Sequence, residues 1–174
     1  MVHNVLTKRM RLTIEHTFEE IDVAEYEQLY FDEAFNDALS TQLKLGRHLV
    51  RLDRSANRIV RHVCYEPAGR APAGFDEAYG TSRASFVEEL DYDVATRRGT
   101  WRTIPNRWAD RVKNAGTIAF TSARAGTLRT VEADVKVSAF GFGKIVERMV
   151  VAEIEKSYTA TTAFTRAWLA RRSA

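Results

Sequence analysis

Residues 142–172 read FGKIVERMVVAEIEKSYTATTAFTRAWLARR, with no proline and no glycine after Gly143. A helix of that length spans roughly 40 Å at about 1.5 Å per residue, enough to cross most of a small domain. Such a helix must cover something. At about 100° per residue, one stripe gathers Phe142, Val146, Met149, Val150, Ala160, Thr161, Phe164 and Trp168. Lys144, Arg148, Glu155 and Arg166 fall on the opposite side. Glu153 and Ser157 sit near the middle of the apolar stripe. A carboxylate there is costly unless it is paired, hydrogen-bonded or wetted by a cavity. Two readings follow. Either Glu153, Ser157 and the following Thr161 close a partly polar pocket, or the stripe drifts toward Ile154, Tyr158 and Thr165 and leaves Glu153 at a solvated edge.

What the helix covers is read from the chain before it. Met10, Leu12, Ile14, His16 and Phe18 alternate with Arg11, Thr13, Glu15 and Thr17, the pattern of a half-buried strand. The period then changes. Asp22 and Glu25 form a capping-box-like start for Val23, Tyr26, Leu29 and Tyr30, and a second short helix over Asp32–Leu43 carries Phe35, Ala38, Leu39 and Leu43 on one face. Gly46 is expected to close it. From Arg47 the pattern is β-like. Arg47–Asp53 and Arg58–Glu66 flank a turn in which Asn57 is able to take positive φ. Ser82–Val94 and Thr100–Ile104 form a second hairpin, and Gly116–Ala123 and Thr127–Ala139 a third around Ala125-Gly126. Between the first two lies PAGRAPAGFDEAYG, residues 67–80, the one long loop.

The order is strand, two short helices, six strands largely in hairpins, and one long helix. An α+β fold follows: a seven-stranded curved antiparallel sheet gripping a C-terminal helix, in a single domain over residues 9–172 after a tail of residues 1–8. Trp101-Arg102 with Pro105-Asn106, Gly143-Lys144-Ile145-Val146-Glu147, Phe164-Thr165 and Trp168-Leu169 add a family likeness. On these residues the chain resembles the START-like, or SRPBCC, superfamily with the helix-grip fold, and in its last third an uncharacterised bacterial branch of it. The resemblance implies a cavity between helix and sheet for lipids, sterols, polyketides or other apolar molecules. Some members are enzymes.

Within that frame the candidate ligand-binding residues are Tyr92, Trp101, Phe120, Val131, Val135, Met149, Glu153, Ser157, Thr161 and Phe164, with Phe75 and Tyr79 of the long loop as a gate. Val131, Ala133, Val135 and Val137 alternate with Thr130, Glu132, Asp134 and Lys136, so the last strand's inner face is well defined; Ile118 and Phe120 match it. Phe86, Glu88, Leu90 and Tyr92 share a face, which puts a second carboxylate among apolar neighbours, and Arg102 on the partner strand could pair with it. His48, His62 and Cys64 would share a face if the first hairpin contains a bulge, but no fourth zinc ligand is in view. No nucleophile elbow, phosphate-binding glycine loop or zinc-protease motif is present, so no catalytic residue and no cofactor is assigned.

Composition narrows the partners. The chain has 174 residues, 45% of them hydrophobic and 28% charged, and a formal net charge of +3. Its 20 arginines are dispersed, which disfavours nucleic acid as a partner. The sequence predicts a binding protein for a hydrophobic or amphipathic small molecule, in transient contact at most with a membrane surface. A cyclase- or hydratase-type enzyme on the same fold, or an interaction module for acidic partners, are the alternatives. Cys64 is the only cysteine, and no signal peptide or membrane span is read, so the expected location is cytoplasmic.

Overall fold

The computed structural model describes residues 10–67, 85–107, 109–138 and 143–172. Its elements follow the expected order: β1 (Met10–Glu19), α1 (Val23–Tyr30), α2 (Glu33–Gln42), β2 (Leu45–Arg54), β3 (Arg58–Pro67), β4 (Phe86–Asp93), β5 (Arg98–Pro105), β6 (Val112–Ala123), β7 (Gly126–Val137) and α3 (Gly143–Arg172). The strands form one antiparallel seven-stranded curved sheet ordered β1-β7-β6-β5-β4-β3-β2. From β2 to β7 consecutive strands pair with one another, and the one long-range pairing sets β1 against β7.

Local chemistry explains the helix starts and the turns. Asp22 Oδ1 accepts from the backbone N–H groups of Ala24 at 2.8 Å and Glu25 at 2.9 Å, and Asp32 Oδ1 accepts from Phe35 at 2.6 Å. Each aspartate satisfies donors that the first helical turn leaves open. The end of α2 differs from expectation. Lys44 takes the left-handed conformation (φ 54°), while Gly46 is already inside β2. Asn57 does not take positive φ; the Ser55 N–H donates to Arg58 O at 2.9 Å and closes that turn. Arg97 (φ 52°) provides the left-handed residue of the β4–β5 turn.

The sheet's inner face, toward the helices, is packed unevenly. Toward one end, α1 and α2 fill the concavity. Tyr26 stacks on Phe18 with ring centroids 4.5 Å apart, and Phe120 meets Tyr26, Tyr30 and Tyr92 at 5.0–5.6 Å. Phe35 reaches from α2 to Phe164 and Trp168 of α3, at 5.7 and 5.5 Å. Such offset and edge contacts add to the large apolar area that aromatic side chains remove from water. Trp101 lies over Gly116, where a Cβ would come within 2.9 Å of its ring, and donates Nε1–H to Thr117 O at 3.2 Å.

α3 lies against β1, β7 and α2. Its buried residues are Val146, Glu147, Thr162 and Thr165, with Ile154, Tyr158, Thr161 and Leu169 half-buried. That face is turned about a quarter of a circumference from the stripe through Val146, Glu153 and Ser157. The drifting alternative is therefore the one observed. Glu153 and Ser157 are exposed, and Glu153 Oε1 lies 3.6 Å from Lys156 Nζ, with 75% of the Glu153 side chain in solvent. At about 100° per residue Glu147, Ile154, Tyr158 and Thr165 fall within about 20° of one line, so the helix meets the sheet on a face rotated from the one through Glu153.

Candidate functional site

The interior carries polar groups that β-strand parity brings inward. On β3 the inward residues are Ile59, Arg61, Val63 and Tyr65, and Arg61 is only 3% exposed. Its guanidinium lies over the Tyr30 ring at 5.0 Å and the Phe31 ring at 5.3 Å, and its Nη1 donates to Tyr30 O at 3.2 Å. Arg61 Nη2 stands 3.7 Å from Glu88 Oε1. Glu88 therefore meets Arg61 of the neighbouring strand, and the pairing with Arg102 is not formed. The β4–β5 register sets Arg102 opposite Glu89 on the other face, where Arg102 Nε donates to Glu89 Oε2 at 2.6 Å.

Glu88 is half-buried, with 24% of its side-chain surface accessible to water. Burial raises its carboxyl pKa above the ordinary range, against the pull of Arg61 and then Arg47. Burial likewise raises the phenols of Tyr30, Tyr65 and Tyr158. Directly across the sheet, Glu88 pairs in register with Thr103, and Thr103 with Asn114. Asn114 Nδ2 donates to Thr103 Oγ1 at 3.1 Å, while Asn114 Oδ1 is buried without a hydrogen-bond partner. Val63 and Val135, both 0% exposed, bracket this row at its two ends.

A second polar group is sealed. Arg129, 1% exposed, donates to Tyr26 Oη at 3.3 Å and Thr162 Oγ1 at 2.8 Å, and lies 3.2 Å from His16 Nδ1. Its guanidinium sits between the Phe18 and Tyr158 rings, at 5.2 and 5.0 Å. A guanidinium only donates, so His16 Nδ1 accepts from Arg129; burial, then the charges of Arg129 and Arg166, lowers the His16 pKa. Burial pushes the Tyr26 phenol up to about 12. Glu147, 4% exposed, accepts from the Val137 N–H at 2.9 Å and fastens the first turns of α3 to the end of β7.

The residues expected to bind ligand divide accordingly. Tyr92 is 0% exposed and donates its hydroxyl to Glu27 Oε2 at 2.6 Å, so its polar tip is occupied within the protein. Trp101, Phe120 and Val131 are members of the packed core, and Phe164 packs against it. Val135 flanks the polar row, and Met149 and Thr161 are half-buried on α3. Phe75 and Tyr79 lie outside the described residues. Arg61, Arg129, Thr103 and Asn114 were missed. Two of these had a signal: Arg61 sits between inward Ile59 and Val63, and Arg129 is two residues from Val131. His48 does pair with Cys64 across a bulge between Leu49 and Arg51, but no three metal-ligating side chains converge among the described residues.

The outer face is different in kind. Two open depressions of about 590 and about 600 Å³ lie there, lined by residues such as Arg58, Asp91, Thr100 and Thr117. Arg58 donates to Asp91 at 2.6 Å, Arg102 holds Glu89, and Arg11 lies 3.3 Å from Asp134. Arginines so paired at an exposed surface offer little net field to an acidic partner. Among the described residues, no helix is long and apolar enough to cross a membrane.

Sheet order, helix placement and interior define an α+β protein with one sheet closed over by a terminal helix. The chain belongs to the family described as Protein of unknown function (DUF2505), whose model matches residues 13–169. No curated protein matches the sequence. Among solved structures, TTHA0849 from Thermus thermophilus superposes with a TM-score of 0.62 at 14% identity, covering 96% of this chain and 100% of that one. The di-domain ARO/CYC StfQ from the steffimycin biosynthetic pathway gives 0.60 at 13% identity, covering 94% of this chain. This chain spans about half of that protein, 52%. Protein Ms6760 from Mycobacterium smegmatis gives 0.59 at 15% identity, with 93% and 92% covered. At such identities the likeness is one of fold.

Proposed function

We propose that this is a START-like binding protein that holds one hydrophobic or amphipathic small molecule, such as a lipid, between α3 and the inner face of the sheet. The observation that carries this reading is Glu88: a half-buried, still accessible carboxylate set in a polar row between two buried valines. A solid core has no use for such a row, because each unpaired polar group costs free energy when buried. A chamber does. Half-buried Met149 and Thr161 of α3 would supply wall, and burying roughly 200 Å² of ligand surface would contribute about 5 kcal/mol before the costs of association. Orientation then falls to Glu88 and its row, since Tyr92 is engaged by Glu27 and Glu153 and Ser157 lie in solvent. The lone Cys64 suits action in the reducing cytoplasm.

Native mass spectrometry of protein purified without lipid stripping tests the reading. The expected result is a one-to-one adduct that is released on unfolding and displaced by a neutral apolar dye. Protein that is empty and takes up no dye would overturn it.

One observation favours a second reading, a cyclase- or hydratase-type enzyme. A half-buried carboxyl with a raised pKa is the group such chemistry needs as acid or base. Turnover abolished in Glu88→Gln with ligand affinity retained would support it.

A further inference from the structure

Which ligand the chamber takes is written in the order of its charges. Arg61 and Glu88 stand 3.7 Å apart, but they are not equally available. The guanidinium is 3% exposed, covered by the Tyr30 and Phe31 rings, and its Nη1 is committed to Tyr30 O. The carboxylate is 24% exposed. A molecule entering the space therefore meets the carboxylate and not the cation behind it. Among the described residues no hydrogen bond occupies the Glu88 oxygens, since the 3.7 Å to Arg61 exceeds hydrogen-bond length.

The neighbouring strands continue the pattern. Asn114 spends its amide donor on Thr103 Oγ1 and leaves Oδ1 buried and unpaired. Thr103 Oγ1 accepts that bond and keeps a second lone pair. Glu88, Thr103 and Asn114 thus present acceptors from three adjacent strands in one row. With strands about 4.8 Å apart, the row is roughly 10 Å long.

We infer that the chamber selects a neutral apolar molecule carrying hydroxyl groups along one edge, donated to Glu88, Thr103 and Asn114, and rejects one whose polar end is a carboxylate or phosphate. The inference rests on the proposed binding role. With Glu88 ionised, an anionic head group would lie against its carboxylate with Arg61 screened behind it, and like charges in a poorly solvated space repel strongly. A hydroxyl donating to that carboxylate forms a charge-assisted bond, stronger than a neutral one. An analogue with the hydroxyl blocked leaves buried acceptors unpaired, the arrangement by which polar sites discriminate most sharply.

Displacement of Nile red from the full chain, at neutral pH, provides the test. The competitors are a trihydroxyflavone, its trimethyl ether and oleate. The expected result is displacement by the trihydroxyflavone, with the ether and oleate each weaker by about tenfold or more. Asn114→Leu and Glu88→Gln, checked for an unchanged cooperative melt, should narrow the gap between flavone and ether by about threefold or more each. Equal displacement by flavone and ether, stronger displacement by oleate, or Nile red that binds but is moved by neither flavone, would each overturn the inference and leave the binding role standing. Absence of Nile red binding overturns both.

Discussion

Replacing Tyr92 by phenylalanine removes one oxygen and keeps the ring that packs on Phe31 and Phe120 at 5.0 and 5.6 Å. The lost bond is Tyr92 Oη to Glu27 Oε2, at 2.6 Å, which ties β4 to α1. Glu27 is 15% exposed at its side chain and keeps, among the described residues, Arg97 Nε at 3.6 Å. Hydrogen bonds to charged groups contribute about 1.5–3 kcal/mol, and little water can enter to replace this one. For a chain of this size each kcal/mol shifts the melting temperature by about 2–4 °C, so Tyr92→Phe should melt about 3–12 °C below wild type. Glu27→Gln should lose part of the same energy, and the double variant should show a coupling of about 0.5–3 kcal/mol in urea unfolding. Ligand affinity should not change, because the hydroxyl faces Glu27 and not the chamber. A Tyr92→Phe protein with wild-type stability and weakened ligand binding would refute this assignment and return Tyr92 to the binding site.

The pH dependence of stability reports on Glu88. Its folded pKa is raised by burial, so the fold takes up that proton more readily than the unfolded chain does. The resulting stabilisation is present below the unfolded carboxyl pKa and is lost as pH rises through the folded one. Glu88→Gln has no such proton, so its urea midpoint should gain on wild type as pH rises from the unfolded carboxyl pKa through the folded one; a constant difference, or the opposite slope, would contradict the burial account. Glu147→Ala should destabilise by about 1–3 kcal/mol by orphaning the Val137 N–H. Hydrogen exchange should quicken first in residues 144–151; uniform loss of protection along α3 would count against a local fastening.

Element order was legible because periodicity and turn chemistry are local. The alternation of β7 and the aspartates at 22 and 32 required no knowledge of what they pack against. Glu88 was also legible as an inward carboxylate from its parity with Leu90 and Tyr92. Its partner was not, because pairing depends on register, and one residue of offset separates Thr103 from Arg102 across from it. Arg61 and Arg129 were passed over because arginine is read as a surface residue, although both lie in step with inward valines. Their burial depends on rings delivered from α1 and α3, distant in sequence. The long helix failed in another way: apolar residues lie on two adjoining faces, and only tertiary packing decides that Ile154 and not Glu153 turns to the sheet.

The pairing of β1 with β7 also governs how the chain is made. Arg11 and Asp134, which meet across that pair, are 123 residues apart. During synthesis at about 5–20 residues per second, β1 waits roughly 6–25 s for the strand it pairs with. α3, which packs on both strands, arrives later still. Through that interval Leu12, Ile14 and Phe18 have no sheet to face, while the β2–β3 and β4–β5 hairpins can form as they emerge. Folding of this chain should therefore depend on what protects its first strand on the ribosome.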